Sequence, residues 1–386
     1  MALTILNSEL TEKINDYLET LQNSNRSFLI GAGCSKCANL PLTSQLTNHI
    51  KANLEIIETK DSYGKTNSIL NSVINNFPVD PNITIEEYIS ELVDFAAILE
   101  RRKDKGSDNP TIGLGLEEIK FTEDDLKTAV IEIQQLIVKI IGDIDFTLQY
   151  HNNFIKAIHE RLDNGRNLFL SPTNYFVLNY DTLIEDALSM NKINYADGFR
   201  GGAIGWWDPS VYDDSNNKAR LFKLHGSLDW RNSNEDNMPR RLKDKSMHKA
   251  YNLGENVLIY PCATKYKETQ NDPFALLLNH YRRLIKNEPK TVLSICGYRF
   301  ADNHINVEIE KALKEGKNLT VIIFTDSDSP NNNKVLKRWY NDQEIRPHLK
   351  FFTKKGFFHN DITILENNSN DIDWWKFEVL TELLNN

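Results

Sequence analysis

The stretch FLIGAGCSKCANLP, from Phe28 to Pro41, decides the fold. Phe28, Leu29 and Ile30 make a short apolar run that stops at Gly31-Ala32-Gly33, which reads as a buried strand turning sharply toward a helix. Two chemistries compete for this turn. Glycines let a backbone approach a pyrophosphate, with free N–H groups and the positive dipole end of the following helix beside it. Cys34 and Cys37, at Cys-x-x-Cys spacing, suit a metal or a redox pair. The turn lacks the third glycine of the common dinucleotide fingerprint, whose place Lys36 takes.

Beyond Pro41 the texture becomes helical. Thr84 and Glu87 have capping-box spacing ahead of YISELVDFAAILERR, and Thr122 precedes EDDLKTAVIEIQQLIVKIIGDI, whose apolar residues recur at three and four. After Asn167 strand texture returns in NLFLSPTNYFVLNYD, ARLFKLHGS, NVLIYPC, TVLSICGYRF and NLTVIIFTD, with helix-like runs such as TLIEDALSM and HINVEIEKALKEG between them. Strand, turn and helix in alternation predict an α/β fold, a doubly wound Rossmann-like parallel sheet with a large mainly helical insertion. The expected boundaries are 1–42 and 165–386 for the nucleotide-binding core with its C-terminal cap, and 43–164 for the insertion. The cap, LKFFTKKGFFHN through DWWKFEVLTELL, reads as a strand or two and a closing helix.

The bulk numbers limit the function. The 386 residues are 40 % hydrophobic and 26 % charged, ordinary for a globular protein with room for about two domains. The first residues lack the basic flank and apolar centre of a signal peptide, and no run approaches a membrane span, which predicts a cytoplasmic protein without membrane association. A net charge of −9 argues against direct nucleic-acid binding. The one basic cluster, Arg240, Arg241, Lys243, Lys245 and Lys249, reads as a solvated polar loop or a partner-binding surface. Four cysteines in so long a chain make no disulfide framework, and Cys262 and Cys296 read as buried small hydrophobes beside strands.

In an open α/β sheet, ligands bind beyond the carboxyl ends of the strands, so the residues after each apolar run carry the chemistry. Asn179 and Asp181 follow YFVL. Asp181 or Thr182 could cap the next helix, and Thr182 with Glu185 has capping-box spacing, so capping accounts for Asp181 as well as catalysis does. Capping does not account for Asn179. His225 and Gly226 follow LFKL; the glycine opens space beside an imidazole whose ordinary pKa suits a proton acceptor at neutral pH. Gly297-Tyr298-Arg299-Phe300 follows TVLSIC, a second glycine turn that fits the ribose or phosphate of an extended ligand.

These strand ends, in this order, resemble the NAD-binding core of the sirtuin family through GAGCS with ANLP following, VLNYD, KLHGS, GYRF and IIFTDSDS. KLHGSLDW and GYRFADNHIN look more narrowly like the bacterial sirtuin-like proteins of antiphage defence, which degrade NAD rather than deacylate proteins. The resemblance covers the start of the chain and most of 165–330. It implies an NAD glycohydrolase that cleaves the nicotinamide–ribose bond to nicotinamide and ADP-ribose and depletes NAD. Gly31, Ala32, Gly33 and Ser35 would hold the pyrophosphate; Asn179 would position the reactive ribose or the attacking water, with Asp181 beside it; His225 would be the catalytic histidine. Gly297 and Tyr298 would line the distal half of NAD, with Asp326 and Ser327 near the adenosine end.

The departures from the family are informative. Protein-deacylating sirtuins carry a glutamine before the asparagine, where this chain has Leu178, and an acidic-Phe-Arg run where it has Pro41-Leu42-Thr43-Ser44. They also hold structural zinc with two Cys-x-x-Cys pairs, whereas only Cys262 and Cys296 lie between His225 and Gly297, so no zinc is expected. With no second cysteine pair, the phosphate reading of the opening turn leads. An NAD-dependent deacylase and a non-catalytic NAD or ADP-ribose sensor remain the alternatives. Core, insertion and cap account for essentially the whole chain, so control is expected from assembly. By resemblance, the chain would form a homo-oligomer partnered by a HerA-type hexameric ATPase.

Overall fold

The computed structural model describes residues 8–57, 64–76, 83–113, 120–164, 171–242, 251, 253–258, 272–315, 318–366 and 371–385. In chain order the early strands are β1 (Asn25–Ile30), β2 (Thr111–Gly113), β3 (Lys120–Thr122), β4 (Thr173–Val177), β5 (Tyr195–Ala196), β6 (Phe199–Gly201), β7 (Ile204–Trp207) and β8 (Ala219–Lys223). The later ones are β9 (Gly226–Ser233), β10 (Pro239–Leu242), β11 (Leu253–Leu258), β12 (Thr291–Cys296), β13 (Leu319–Thr325), β14 (Leu349–Thr353), β15 (Gly356–His359) and β16 (Ile362–Leu365). Helices α1 (Ser8–Gln22), α2 (Thr43–Ile57), α3 (Gly64–Asn76), α4 (Ile85–Asp104), α5 (Glu123–Gly142), α6 (Gln149–Lys156) and α7 (Leu183–Met190) precede further helices at Phe274–Asn287, Asn303–Glu315, Lys334–Asn341 and Phe377–Asn385.

The chain divides into two compact units. The first comprises Met1–Asn39, Phe146–Leu224 and Leu276–Asn386 and holds a sheet in the order β16-β15-β14-β13-β12-β1-β4-β8-β5. From β14 to β5 every pairing is parallel, while β15 and β16 turn back antiparallel. Parallel strands are covered on both faces and so need unbroken apolar runs. β1, β4 and β12 are buried at every position. The chain leaves β1 toward β4 and β8 on one side and returns with β12, β13 and β14 on the other, so strand order reverses at β1. In open parallel sheets, ligands bind beyond the carboxyl ends of the strands at such a reversal. Beneath the sheet Phe28 stacks on Tyr175 at 5.7 Å and meets Phe154 edge-on at 5.2 Å.

The second unit comprises Leu40–Asp145 and His225–Ala275. It contains α2 to α5, the β2–β3 hairpin and the antiparallel strands β11-β9-β10. Both expected helix starts are capping boxes: Thr84 with Glu87 opens α4, and Thr122 with Asp125 opens α5.

The division departs from the boundaries expected from sequence in two ways. Helix α6 and the π-helical turn Ala157–Arg161 lie in the first unit, because Phe154, Ile155 and Ile158 are buried in its core and Arg26 of β1 donates to Ile158 O at 2.8 Å. Residues 225–275 lie with the helices, because Gly226 to Ser233 pair with β10 and β11 rather than with the parallel sheet. Periodicity marks an apolar face without saying what covers it. The C-terminal cap exceeds expectation, since β14 extends the parallel sheet before β15, β16 and the helix Phe377–Asn385. Arg240 and Arg241 lie on β10 rather than in a loop, while Lys243, Lys245, Lys249, Cys262 and the run 167–170 lie outside the described residues. Among the described residues no helix is long and apolar enough to cross a membrane.

Candidate active site

The two glycine turns at the ends of β1 and β12 lie backbone to backbone. Gly31 N–H donates to Cys296 O at 3.0 Å and Gly33 N–H to Gly297 O at 2.9 Å. A Cβ on Gly33 would stand 2.7 Å from Gly297 Cα, and one on Gly297, whose φ is +63°, 2.4 Å from Cys34 N. Glycine at these positions therefore serves the close packing of one turn on the other. The helix that follows the first turn, Ala32–Ala38, is a seven-residue 3-10 run. So short a run has too small a dipole to carry the expected anion argument.

Ser35 sits within this run and is buried. Its hydroxyl lies 2.7 Å from Asp181 Oδ2 and 2.7 Å from Asn179 Nδ2. A carboxylate oxygen only accepts, so the single hydroxyl proton goes to Asp181. Ser35 Oγ must then accept from the Asn179 amide nitrogen, which fixes the amide's orientation. Asn179 Oδ1 consequently faces away; it is buried, on a residue only 8 % exposed, with no partner among the described residues. A bare buried acceptor of this kind is rare in folded proteins, because leaving it unsatisfied costs about 1–3 kcal/mol. It suits a donor such as a ribose hydroxyl or a water.

Asp181 thus has two tasks. Its Oδ1 accepts the Leu183 N–H at 3.2 Å, which starts α7, while Oδ2 holds Ser35. The capping box expected from Thr182 and Glu185 does not form: Thr182 Oγ1 bonds Asp186, and Glu185 faces Lys223.

The remaining candidates take varied places. Tyr298 is pinned inside its own loop, its hydroxyl receiving Asp302 N–H at 3.1 Å and lying 3.1 Å from Asn306 Oδ1. Burial pushes that phenol well above its ordinary pKa. Ala32 opens the 3-10 run, and Asp326 and Ser327 follow β13 at the same carboxyl edge, where Ser327 bonds Thr325. His225 is buried in the turn between β8 and β9 and is the first residue of the second unit. The structure brings Ser35, Asn179 and Asp181 together, and separately Gly31, Gly33 and Gly297.

Cys34 is buried and Cys37 half-buried. Burial, then the neighbouring Cys296, holds the Cys34 thiol far above its usual range, and burial pushes Cys37 up to about 12. Cys37 Sγ–H points at Cys34 O, 3.3 Å away. A protonated thiol is neither a good metal ligand nor a good nucleophile. Among the described residues no group of three or more His, Cys, Asp or Glu is placed to hold a metal ion.

Sequence reasoning missed Lys223 and His151. Lys223 ends β8 with a side chain 1 % exposed, and its Nζ donates to the backbone carbonyl of Asp181. A lysine inside the buried run LFKL was the available signal. His151, on α6, is 1 % exposed, 4.8 Å from the Phe377 ring, with no partner for Nδ1 among the described residues. Burial pushes its pKa down to about 4, partly opposed by the Asp181 charge. Nothing in its sequence surroundings distinguishes it from a surface histidine.

Residues 173–348 match the SIR2-like domain family. The SIR2-like segment contains Asn179, Asp181, His225, Gly297, Tyr298, Asp326 and Ser327, while the first glycine turn and Ser35 precede it. No curated protein matches the chain. Solved structures similar to it include one described as the structural basis for the mechanism and regulation of Sir2 enzymes, at 13 % identity over 82 % of this chain and 86 % of that one, with a TM-score of 0.31.

Proposed function

We propose that this chain hydrolyses NAD at the bond joining nicotinamide to ribose, releasing nicotinamide, ADP-ribose and a proton. The observation that carries the reading is the unpartnered Asn179 Oδ1, held by Ser35 and Asp181 at the carboxyl end of β4 within a SIR2-like segment. The leaving nicotinamide is already cationic in NAD, so it departs as a neutral amide without a general acid and leaves an oxocarbenium-like ribose. What the protein supplies is orientation of the nucleophile and a path for its proton. Asn179 Oδ1 accepts from the attacking water or the ribose hydroxyl beside it. His225 takes the proton. Its assignment rests on chain position, two residues beyond β8, and on the sirtuin resemblance.

Leu178, where deacylases have glutamine, is buried and donates its N–H to Ile30 O at 2.9 Å, extending the pairing of β4 with β1. An apolar side chain there offers a ribose nothing to bond, which favours hydrolysis over acyl transfer. The proposed setting is antiphage defence, with the chain a homo-oligomer controlled by a HerA-type ATPase. Purified protein incubated with NAD, alone, with an acylated peptide and with the neighbour-encoded ATPase, is assayed for free nicotinamide by chromatography. Release without peptide is expected. Release only with peptide would make the chain a deacylase, and none under any condition a sensor.

A further inference from the structure

Lys223 is a buried cation that the proposed reaction does not use. It stands in register with Val177 of β4, and its Nζ, besides bonding the Asp181 carbonyl, lies 3.3 Å from Glu185 Oε1 in the first turn of α7. A buried ammonium is tolerated only when paired and hydrogen-bonded. Here both partners come from the one segment that carries Asn179 and Asp181. That segment is fixed at one end by Leu178 N–H on Ile30 O and at the other by α7, whose start takes Asp181 Oδ1. Between these ends the lysine holds the backbone from the neighbouring strand.

We propose that Lys223, tied to Glu185, is a positioning residue that sets Asn179 through the Asp181 carbonyl. The order of transmission is Lys223 to the Asp181 backbone, the Asp181 carboxylate to Ser35, and Ser35 to the Asn179 amide. The inference rests on Asn179 being the group that orients the nucleophile. A misplacement of about 1 Å at such a group lowers turnover on the order of a hundredfold.

Replacing the lysine alone leaves the half-buried Glu185 carboxylate without its cation and disturbs the site, so the decisive variant is the double Lys223→Met/Glu185→Leu, which removes both charges at similar volume. It is expected to keep the wild-type melting temperature and ADP-ribose affinity while kcat falls about tenfold or more. Hydrogen exchange at the amides of residues 179–183 should accelerate, a readout that needs no turnover. Glu185→Gln, which keeps an oxygen acceptor for Nζ, should retain most of the activity and accelerate the same amides by a smaller factor. A double variant with wild-type kcat and unchanged exchange overturns the proposal, as does unchanged exchange in Glu185→Gln should the double variant not fold. If the wild-type chain releases no nicotinamide, the hydrolase reading fails by itself, and the exchange comparison still decides whether Lys223 holds the segment.

Discussion

At the scale of single residues, hydrogen-bond valence fixes which atoms donate and which accept around Ser35. The place of Ser35 in the glycine turn suggests a pyrophosphate ligand, yet its hydroxyl is used between Asp181 and Asn179. The two roles predict different kinetics. Ser35→Ala frees the Asn179 amide to turn over, so kcat should fall about tenfold while ADP-ribose affinity, measured by calorimetry, holds; a pyrophosphate ligand would instead weaken that affinity with kcat little changed. Asn179→Ala should lower kcat by about a hundredfold or more at an unchanged melting temperature, and near wild-type turnover would remove Asn179 from the mechanism. Asn179 stands out in the sequence because it follows a strand run at a place where capping has no use for it. Ser35's part does not, because its partners lie 144 and 146 residues away along the chain. His151 adds a pH effect. Its folded pKa, about 4, lies below the ordinary 6.5, so between those values the unfolded chain binds a proton that the fold excludes. Stability contributed by the neutral imidazole is therefore intact above pH 6.5 and lost on acidification toward pH 4, on the order of 3 kcal/mol in all. Urea titrations of His151→Phe across that range should show a shallower acid limb than wild type; equal slopes would dismiss the buried imidazole as its source.

Among elements, the packing of the β1 turn on the β12 turn is the rigid part of the carboxyl edge of the sheet. Gly33→Ala places a Cβ 2.7 Å from backbone, where nothing flexible can give way, whereas Gly202 has open space around its added carbon. Gly33→Ala should therefore destabilise by about 2 kcal/mol or more and Gly202→Ala by well under 1 kcal/mol, as read from denaturant midpoints. Comparable midpoints would mean that the two turns can separate freely. Strands β1, β4, β8, β12 and β13 were legible as apolar runs ending in glycine or polar residues, and the capping box at Thr84 from its spacing to Glu87. The 3-10 form of Ala32–Ala38 was not, since a strand ending in Gly-x-Gly announces a turn without fixing the helical pitch of the residues after it. Nor was the membership of α6, whose apolar side fits a bundle or a sheet equally well until Phe28 and Tyr175 are seen to receive Phe154.

For the whole molecule, assembly is the open axis. If the chain acts as a homo-oligomer with a HerA-type ATPase, light scattering of the purified protein should give a multiple of 44.5 kDa, and the neighbour-encoded ATPase should co-purify with it. A strict monomer, fully active and indifferent to that ATPase, would refute this. The strand order of the large sheet also bears on how the protein is made. β1 is made well before either of its sheet neighbours, yet it belongs at the centre of the sheet, between β4 and β12. Ser27 bonds a residue 147 positions later, and Asn25 one 264 positions later. At about 5–20 residues per second, the first neighbour is synthesised roughly 7–30 s after β1, and the second later still. Throughout that interval this apolar segment of the nascent chain has no strand to lie against, and contacts so distant in sequence form slowly even afterward. Substitutions in β1 that lengthen this wait should appear first as lost soluble yield and chaperone dependence during synthesis, before any change in the melting of the finished protein.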